Sequence, residues 1–121
     1  MTSIFERIIA REIPADVVYE DDLVIAFRDI APRAPVHLLV VPKTGEYANV
    51  VELAAGDPAL LAHLVATADA LAVEHTGGDF RLVFNTGESA GQTVFHVHAH
   101  VMGDRVGSPT AALSEGTLAD V

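Results

Sequence analysis

Three histidines alternate with apolar residues late in the chain, at His96, His98 and His100. Because successive side chains of a β-strand face opposite ways, the three imidazoles share one face of a predicted strand. The apolar residues that flank and separate them then face the core: Phe95, Val97, Ala99 and Val101. Side chains two residues apart on a strand lie about 6.5 to 7 Å apart, so two rings can contact one phosphate group. The pattern therefore predicts a functional histidine face.

Two kinds of chemistry fit this spacing. In one, a neutral imidazole attacks phosphorus while neighbouring rings hydrogen-bond the phosphate and protonate the leaving group, since histidine titrates near neutral pH. In the other, His96, His98 and His100 are ligands of a metal such as zinc, completed by a further histidine or a carboxylate. The spacing alone leaves both open.

The segment just before the histidines, residues 87–93, has the composition of a phosphate-binding loop. Gly87 and Gly91 allow backbone N–H groups to approach an anion, and the side chains of Ser89, Gln92 and Thr93 can donate hydrogen bonds. A Gly- and Ser-rich connection is also typical of a plain hairpin. Its position next to three histidines favours the phosphate-binding interpretation.

Two helices are predicted to support these residues. Ser3 and Glu6 match a capping box, and the apolar residues that follow recur at helical spacing, which predicts a short helix over residues 4–11. A longer helix of about 17 residues is predicted between an N-cap at Asp57 and a stop at Gly77. Its apolar stripe consists of Leu60, Leu61, Leu64, Val65, Ala68, Leu71 and Ala72.

Five segments have the β-branched, aromatic or alternating composition of strands: residues 17–19, 23–28, 37–41, 81–85 and 93–102. The run 37–41 is apolar apart from His37 and lies between prolines, which predicts a buried central strand. The order helix, strands, helix, strands, with antiparallel patterns and no internal repeat, predicts an α+β domain.

Composition excludes several functions. The 121 residues fit one domain with a single active site. With 17 acidic and 7 basic residues, the net charge of -10 repels the nucleic-acid backbone. No run approaches the roughly 20 apolar residues that a membrane span requires. The absence of cysteine excludes disulfides and cysteine-bound zinc, and no segment has the features of a signal peptide. We therefore expect a cytoplasmic protein without nucleic-acid or membrane partners.

The run from Gly91 to Val101 resembles the signature of the histidine triad (HIT) family, in its Hint-like branch of nucleotide-binding phosphoramidases. Further segments match that branch in order and spacing: residues 13–15, 20–22, 26–30, 32–35, 37–43 and 83–85. The resemblance covers residues 3–103. It implies a HIT domain over residues 1–105, a tail over residues 106–121, and an antiparallel sheet of about five strands with two helices. It also implies a homodimer whose two sheets join into one, for which the strong apolar stripe of the long helix would supply surface.

The resemblance also implies a role for each histidine. His98 is the nucleophile that forms a nucleotidyl-histidine intermediate, and His100 contacts the phosphate and assists the leaving group. His96 and His37 orient the catalytic strand. Asp29 accepts hydrogen bonds from the two ribose hydroxyls, which an ionised carboxylate can do, although its position also fits a local turn cap.

The same resemblance assigns the remaining substrate contacts. Four residues hold the phosphate and the leaving-group side: Asn85, Gly91, Gln92 and Thr93. Six line an apolar pocket for a purine, although each also fits an ordinary core position: Ile4, Phe5, Ile8, Phe27, Ile30 and Leu39. Neither a cofactor nor a catalytic metal is implied. The Cys-x-x-Cys pair that helps many relatives to bind a structural zinc is replaced here by Ser3 and Glu6, and the Trp-containing tail of eukaryotic members is absent.

The expected function is that of a purine nucleoside phosphoramidase, which hydrolyses adenosine or guanosine 5′-phosphoramidates to the nucleoside monophosphate and an amine. Three alternatives stay open. One is a dinucleoside polyphosphate hydrolase, and another is a nucleotide-binding interaction module with incidental turnover. The third is a metal-dependent hydrolase. The His-x-His-x-Gln pattern of uridylyltransferase-like proteins is disfavoured because position 100 is histidine.

Overall fold

The computed structural model describes residues 3–107, which form an α+β domain. The helices are α1 (Ile4–Ile9), α2 (Val50–Gly56) and α3 (Pro58–Thr76), with one short 3₁₀ turn at Glu88–Ala90. The strands are β1 (Val17–Glu20), β2 (Val24–Arg28), β3 (Val36–Pro42), β4 (Arg81–Val83) and β5 (Ala99–Gly103). None of these helices is long and apolar enough to cross a membrane. Most of the predicted tail, from residue 108 onward, lies outside the described residues.

The strands form one antiparallel sheet in the order β1-β2-β3-β5-β4. The predicted central strand is confirmed, since β3 lies in the middle and all seven of its residues are buried. Both predicted helices are present. The additional helix α2 was missed because it is only seven residues long, although its Asn49 N-cap accepts a hydrogen bond from the Glu52 N–H in the usual capping geometry.

The two faces of the sheet carry different layers. On one face α2 and α3 pack against the larger core, in which Leu38, Val101 and Leu64 are fully buried. On the other face α1 covers a smaller cluster. The register aligns Phe27 on β2, Leu39 on β3 and His100 on β5 in one row across the sheet. This row places a histidine directly beside the smaller apolar cluster.

The predicted strand over residues 93–102 was wrong in its first half. Only residues 99–103 pair with the neighbouring strands, whereas residues 92–98 form an irregular segment. The Val97 N–H of this segment donates to the Tyr47 carbonyl, which lies in a loop and not in a strand. Phe95, expected in the core, is therefore 56% exposed, while Val97 is buried as predicted.

The apolar stripe of α3 is used mainly within the chain itself. Leu60, Leu64 and Leu71 are buried against the sheet, and Val65 is 38% exposed. The stripe therefore leaves less apolar surface for a second subunit than its composition predicted. The helix ends where predicted, at Gly77, whose φ of 81° lies in the left-handed region that glycine adopts readily.

Candidate active site

Four histidines lie together on the α1 side of the sheet. β3 contributes His37 and β5 contributes His100, while His96 and His98 belong to the irregular segment before β5. The ring centroids of His98 and His100 are 5.2 Å apart, and so are those of His37 and His100. The structure thus brings together all four histidines that the sequence singled out, although not as a single row on one strand.

The His96 ring is fixed inside the protein. It is 1% exposed, and its Nε2 lies 2.8 Å from the Pro42 carbonyl oxygen. A carbonyl can only accept, so Nε2 carries the hydrogen and Nδ1 of the neutral ring is the acceptor. The Ser3 hydroxyl, 2.8 Å from Nδ1, therefore donates to it. Both ring nitrogens of His96 are engaged, which agrees with a supporting role.

The orientation of His98 is set by the backbone of His96. His98 Nδ1 lies 2.8 Å from the His96 carbonyl oxygen, so Nδ1 carries the hydrogen and Nε2 of the neutral ring keeps its lone pair. The Phe5 ring approaches edge-on, with its centroid 4.9 Å from that of His98. His98 therefore offers a fixed, unprotonated nitrogen, which is the form that a nucleophile needs.

His37 and His100 form a chain of hydrogen bonds. The Arg33 N–H donates to His37 Nδ1 at 3.0 Å, so His37 Nε2 carries the hydrogen and donates to His100 Nδ1 at 2.9 Å. In the neutral His100 ring the remaining hydrogen is then on Nε2. That nitrogen is buried and has no hydrogen-bond partner within residues 3–107. An N–H donor at this place fits a phosphate oxygen or a leaving group.

Burial keeps these rings neutral. It lowers the pKa of His98, while the hydrogen bond to the His96 carbonyl and the charge of Asp29 oppose the shift only in part. Burial, together with the neighbouring His98 and His37 rings, lowers the pKa of His100 to about 4. The pKa of His37 is also lowered by burial, against the raising effect of Asp29. At pH 7 His37, His98 and His100 are therefore neutral imidazoles, each with one donor and one acceptor nitrogen.

Asp29 lies at the end of β2 and faces the histidines. One carboxylate oxygen accepts from the Ala31 N–H at 2.8 Å, which is the turn cap that the sequence suggested. The other lies 3.4 Å from His37 Nε2. The side chain is 18% exposed, so its oxygens retain access to a ligand. The structure thus leaves the predicted contact with a diol geometrically open.

The predicted phosphate loop contains one residue that serves a different purpose. Gln92 is 2% exposed, its Oε1 accepts from the Gly87 N–H, and its amide donates to the Ala48 and Val94 carbonyls. Its side chain is therefore fully used in holding the loop, which corrects the expectation that it donates to a phosphate. Gly91 has a φ of 98° and is exposed, with Asn85 close to its backbone. Thr93 is also exposed and available to a ligand.

Four of the six residues predicted to line a purine pocket lie in one buried cluster. Phe5, Ile8, Phe27 and Leu39 pack together in the smaller apolar cluster, with the Phe5 and Phe27 ring centroids 5.7 Å apart. Ile4 at the edge of α1 is 48% exposed. Ile30 is 99% exposed and does not join this cluster, because the Asp29 cap turns the chain away from the sheet. Ile30 is therefore separate from the cluster that contains Phe5, Ile8, Phe27 and Leu39.

The donor set that comes closest to a metal site within residues 3–107 is not the one that the spacing suggested. Ligand atoms of Asp29, His37 and His100 lie within 4.8 Å of one another. His96 is excluded from a shared site because both of its nitrogens are engaged. His37 accepts the Arg33 N–H on Nδ1, whereas a metal-bound histidine normally donates from its second nitrogen. The hydrogen-bond pattern therefore favours a histidine network over a metal centre.

Three contributors to the site were not identified from the sequence. The Ser3 hydroxyl contacts His96, although the sequence suggested only a helix cap. The Arg33 N–H fixes the tautomer of His37, and the Ala48 carbonyl anchors Gln92. Backbone groups in loops leave no signal in residue type, so only Ser3 could have been found from the sequence.

Comparison with known proteins identifies the family of this chain. A family model for the HIT domain matches residues 10–107. A protein of Synechococcus elongatus, named as an uncharacterized HIT-like protein, is 55% identical over 105 residues, which cover 85% of this chain and 90% of that protein. The purine nucleoside phosphoramidase of Escherichia coli is 40% identical over 112 residues, which cover 91% of this chain and 93% of that protein.

Solved structures give the same result. A HIT family hydrolase from Clostridium thermocellum has a TM-score of 0.79 and 40% identity, covering 90% of this chain and 96% of its own. A HIT family hydrolase from Legionella pneumophila has a TM-score of 0.78 and 40% identity, and the match covers 89% of this chain and 97% of that protein. Together, the family match, the relatives and the shared fold show that the chain belongs to the HIT family.

Proposed function

We propose that this protein is a purine nucleoside phosphoramidase that works through a nucleotidyl intermediate on His98. The observation that carries the proposal is the hydrogen bond from His98 Nδ1 to the His96 carbonyl, which leaves Nε2 with a lone pair. Burial lowers the pKa of His98, so this nitrogen is unprotonated at neutral pH. A positioned, neutral imidazole is a competent nucleophile toward phosphorus.

The reaction proceeds in two displacements. In the first, His98 Nε2 forms a bond to the α-phosphorus, the P–N bond of the substrate breaks, and the amine leaves with a proton. In the second, water attacks the same phosphorus and gives a proton to His100, the bond to Nε2 breaks, and the nucleoside monophosphate is released with His98 neutral again. Dividing one difficult substitution into two lowers the barrier of each.

His100 assists both displacements from its buried Nε2. In the free protein its pKa of about 4 makes it a neutral N–H donor. A bound phosphate anion favours the protonated ring and so raises this pKa. The added hydrogen lies on Nδ1, so the His37 Nε2–H turns from His100 to the Asp29 carboxylate oxygen 3.4 Å away. The protonated His100 can then give its Nε2 proton to the departing amine. Substrate binding therefore converts His100 into a general acid.

The remaining substrate contacts are assigned to the smaller apolar cluster, to Asp29 and to the loop of residues 87–93. We assign the purine to the surface of the cluster around Phe5, Phe27 and Leu39, and the ribose hydroxyls to Asp29. Gly91 and Thr93, exposed in the loop, are assigned to the phosphate. The 40% identical relative named as a purine nucleoside phosphoramidase supports this choice of substrate over the alternatives.

A substrate panel tests the proposal. Purified protein is given adenosine and guanosine 5′-phosphoramidates, dinucleoside polyphosphates and simple nucleotides under one condition, with and without prior removal of metals by EDTA. The proposal predicts the highest kcat/KM for the phosphoramidates and an unchanged rate after EDTA. Preference for a dinucleoside polyphosphate would indicate the other hydrolase, and binding without turnover would indicate an interaction module. Loss of activity that zinc or manganese restores would indicate a metallohydrolase.

We also propose a two-fold homodimer with a continuous sheet. Two features of the single chain favour it: β4 lies at an edge of the sheet, and Val65 and Val73 on α3 are 38% and 57% exposed. Sedimentation at micromolar concentration should give twice the chain mass. A monomer with full activity would contradict this part of the proposal.

A further inference from the structure

The N-terminal segment is attached to the catalytic histidines through one hydroxyl group. Ser3 Oγ accepts a hydrogen bond from the Glu6 N–H at 3.0 Å and donates to His96 Nδ1 at 2.8 Å. The Glu6 side chain in turn accepts a hydrogen bond from the Ser3 N–H at 3.0 Å. Its carboxyl lies so close to Gly45 that a Cβ there would come within 2.8 Å of it. The cap of α1 is therefore seated against the loop after β3 and points at His96.

His96 connects this contact to His98, because the His96 carbonyl holds the His98 ring. The peptide unit between His96 and Val97 is held at both ends, because its N–H donates to the Tyr47 carbonyl and its carbonyl accepts from His98 Nδ1. The ring of His96 is the second anchor of the same residue, through Ser3 on one side and Pro42 on the other. Residues 92–98 lack strand pairing, so the position of the peptide unit depends on these side-chain contacts together with the Val97 N–H bond to Tyr47.

We propose that Ser3 is a positioning residue for the His98 nucleophile and acts by fixing the ring and tautomer of His96. The proposal rests on the proposed function for its kinetic consequence, whereas its structural consequence is independent of any activity. Loss of the hydroxyl leaves a buried acceptor on His96 without its donor. The His96 peptide unit then loses one of its anchors, and the hydrogen bond that holds His98 Nδ1 weakens.

The variants Ser3→Thr and Ser3→Val form a matched pair, since they differ by a hydroxyl in place of a methyl group. Threonine keeps both the helix cap and the contact with His96, and valine removes both. Ser3, Glu6 and His96 line an open cavity of about 420 Å³, so valine is a better test than alanine, which leaves more room for a water molecule to replace the hydroxyl. Asp57→Ala removes the N-cap of α3 on the opposite face and serves as the control for loss of a cap alone.

Steady-state kinetics with an adenosine phosphoramidate is the first measurement. Ser3→Val should lower kcat roughly 10- to 100-fold, as expected for a misplaced reacting group, with KM changed less than about threefold. Ser3→Thr should stay within about threefold of the wild type, and Asp57→Ala should keep the wild-type kcat below its unfolding temperature. Equal kcat values for Ser3→Val and Ser3→Thr would overturn the proposal.

Nitrogen-15 NMR of the histidine rings is the second measurement and needs no substrate. The wild type should show His96 protonated on Nε2 and His98 protonated on Nδ1, and Ser3→Val should shift His98 toward a mixture of tautomers. Ser3→Ala replaces it in both measurements if the valine variant does not fold. A wild-type His96 protonated only on Nδ1, or an unchanged His98 signal in the variant, would refute the proposal. If the wild type hydrolyses no phosphoramidate, the proposed function fails, while the tautomers still test the role of Ser3.

Discussion

Residues 92–98 and residues 99–103 continue one alternating sequence pattern, yet the structure holds them in different ways. The second segment is β5, which pairs with β3 and β4 along its length. The first is fixed mainly by two buried side chains: Gln92 bonds to the Ala48 and Val94 carbonyls, and His96 bonds to the Pro42 carbonyl at the end of β3 and to Ser3. The boundary falls between His98 and Ala99.

This difference assigns separate tasks to neighbouring histidines. His100 lies in the ladder, where the register fixes it beside Leu39 and within reach of His37. His98 lies just outside it, where its ring bonds to the carbonyl two residues earlier instead of taking the place that a pleated strand would give it. A strand end can thus present a nucleophile in an orientation that regular pairing would not allow, provided that side chains hold the segment before it.

The largest effect is expected from the histidine outside the ladder. His98→Ala should lower turnover of an adenosine phosphoramidate by at least about 1,000-fold while binding of a nucleoside monophosphate changes little, because the ring acts in bond formation. His100→Ala should lower turnover less than His98→Ala does. Its effect should be greatest for substrates with basic amine leaving groups, since these need a proton. Rates with a series of leaving groups and calorimetric binding measure both. A smaller loss for His98→Ala than for His100→Ala would reverse the assignment.

The next largest effect is expected at Gln92, whose side chain holds the irregular segment of residues 92–98. Gln92→Ala leaves the Gly87 N–H and the Ala48 and Val94 carbonyls without their partner, and we expect it to lower the free energy of unfolding by about 2 to 4 kcal/mol. It should also lower kcat. Gln92→Met keeps the shape without the hydrogen bonds and serves as the control for cavity formation. Urea unfolding measures both variants, and full stability in Gln92→Met would show that packing alone holds the segment.

Acid should destabilise the protein through histidines on both sides of the boundary. The pKa of His100 is about 4 in the folded protein and near 6.5 in the unfolded chain, so between these values the unfolded chain binds more protons. Stability is therefore complete above pH 6.5 and falls as the pH drops toward 4, by about 1 kcal/mol after allowance for partial exposure of the ring. The lowered pKa of His98 acts in the same direction. Urea unfolding at several pH values should give a flatter profile for His100→Asn, and an identical profile would contradict this origin.

The smallest effect is expected at the position where the alternating pattern misled. Phe95 is 56% exposed, so Phe95→Ala should change the free energy of unfolding by no more than about 0.5 kcal/mol. Val97 is only 1% exposed, so Val97→Ala should lower the free energy of unfolding by about 2 kcal/mol. Thermal unfolding of the two variants compares them directly. Equal losses would mean that the segment is a strand with one buried face after all.

Most of the architecture could be predicted from the sequence, because apolar periodicity and end signals report burial. The strands β1, β2 and β3 and the helix α3 were predicted close to their actual bounds. The four histidines were identified from their spacing and from the family resemblance. What could not be predicted depends on groups that every residue carries, such as the Arg33 N–H and the Tyr47 carbonyl. For the same reason, Gln92 was taken for a substrate contact, since residue type does not reveal that its amide is already engaged within the loop.

The central claim is that His98 Nε2 forms a covalent bond to the nucleotide phosphorus. Rapid mixing of the wild type with an adenosine phosphoramidate, followed by a quench on the millisecond scale and peptide mass spectrometry, measures this bond directly. The account predicts a transient adenylyl group on His98 that appears before free monophosphate and decays as it forms. An adduct on another histidine, or turnover at the full rate without any adduct in His98→Ala, would contradict it.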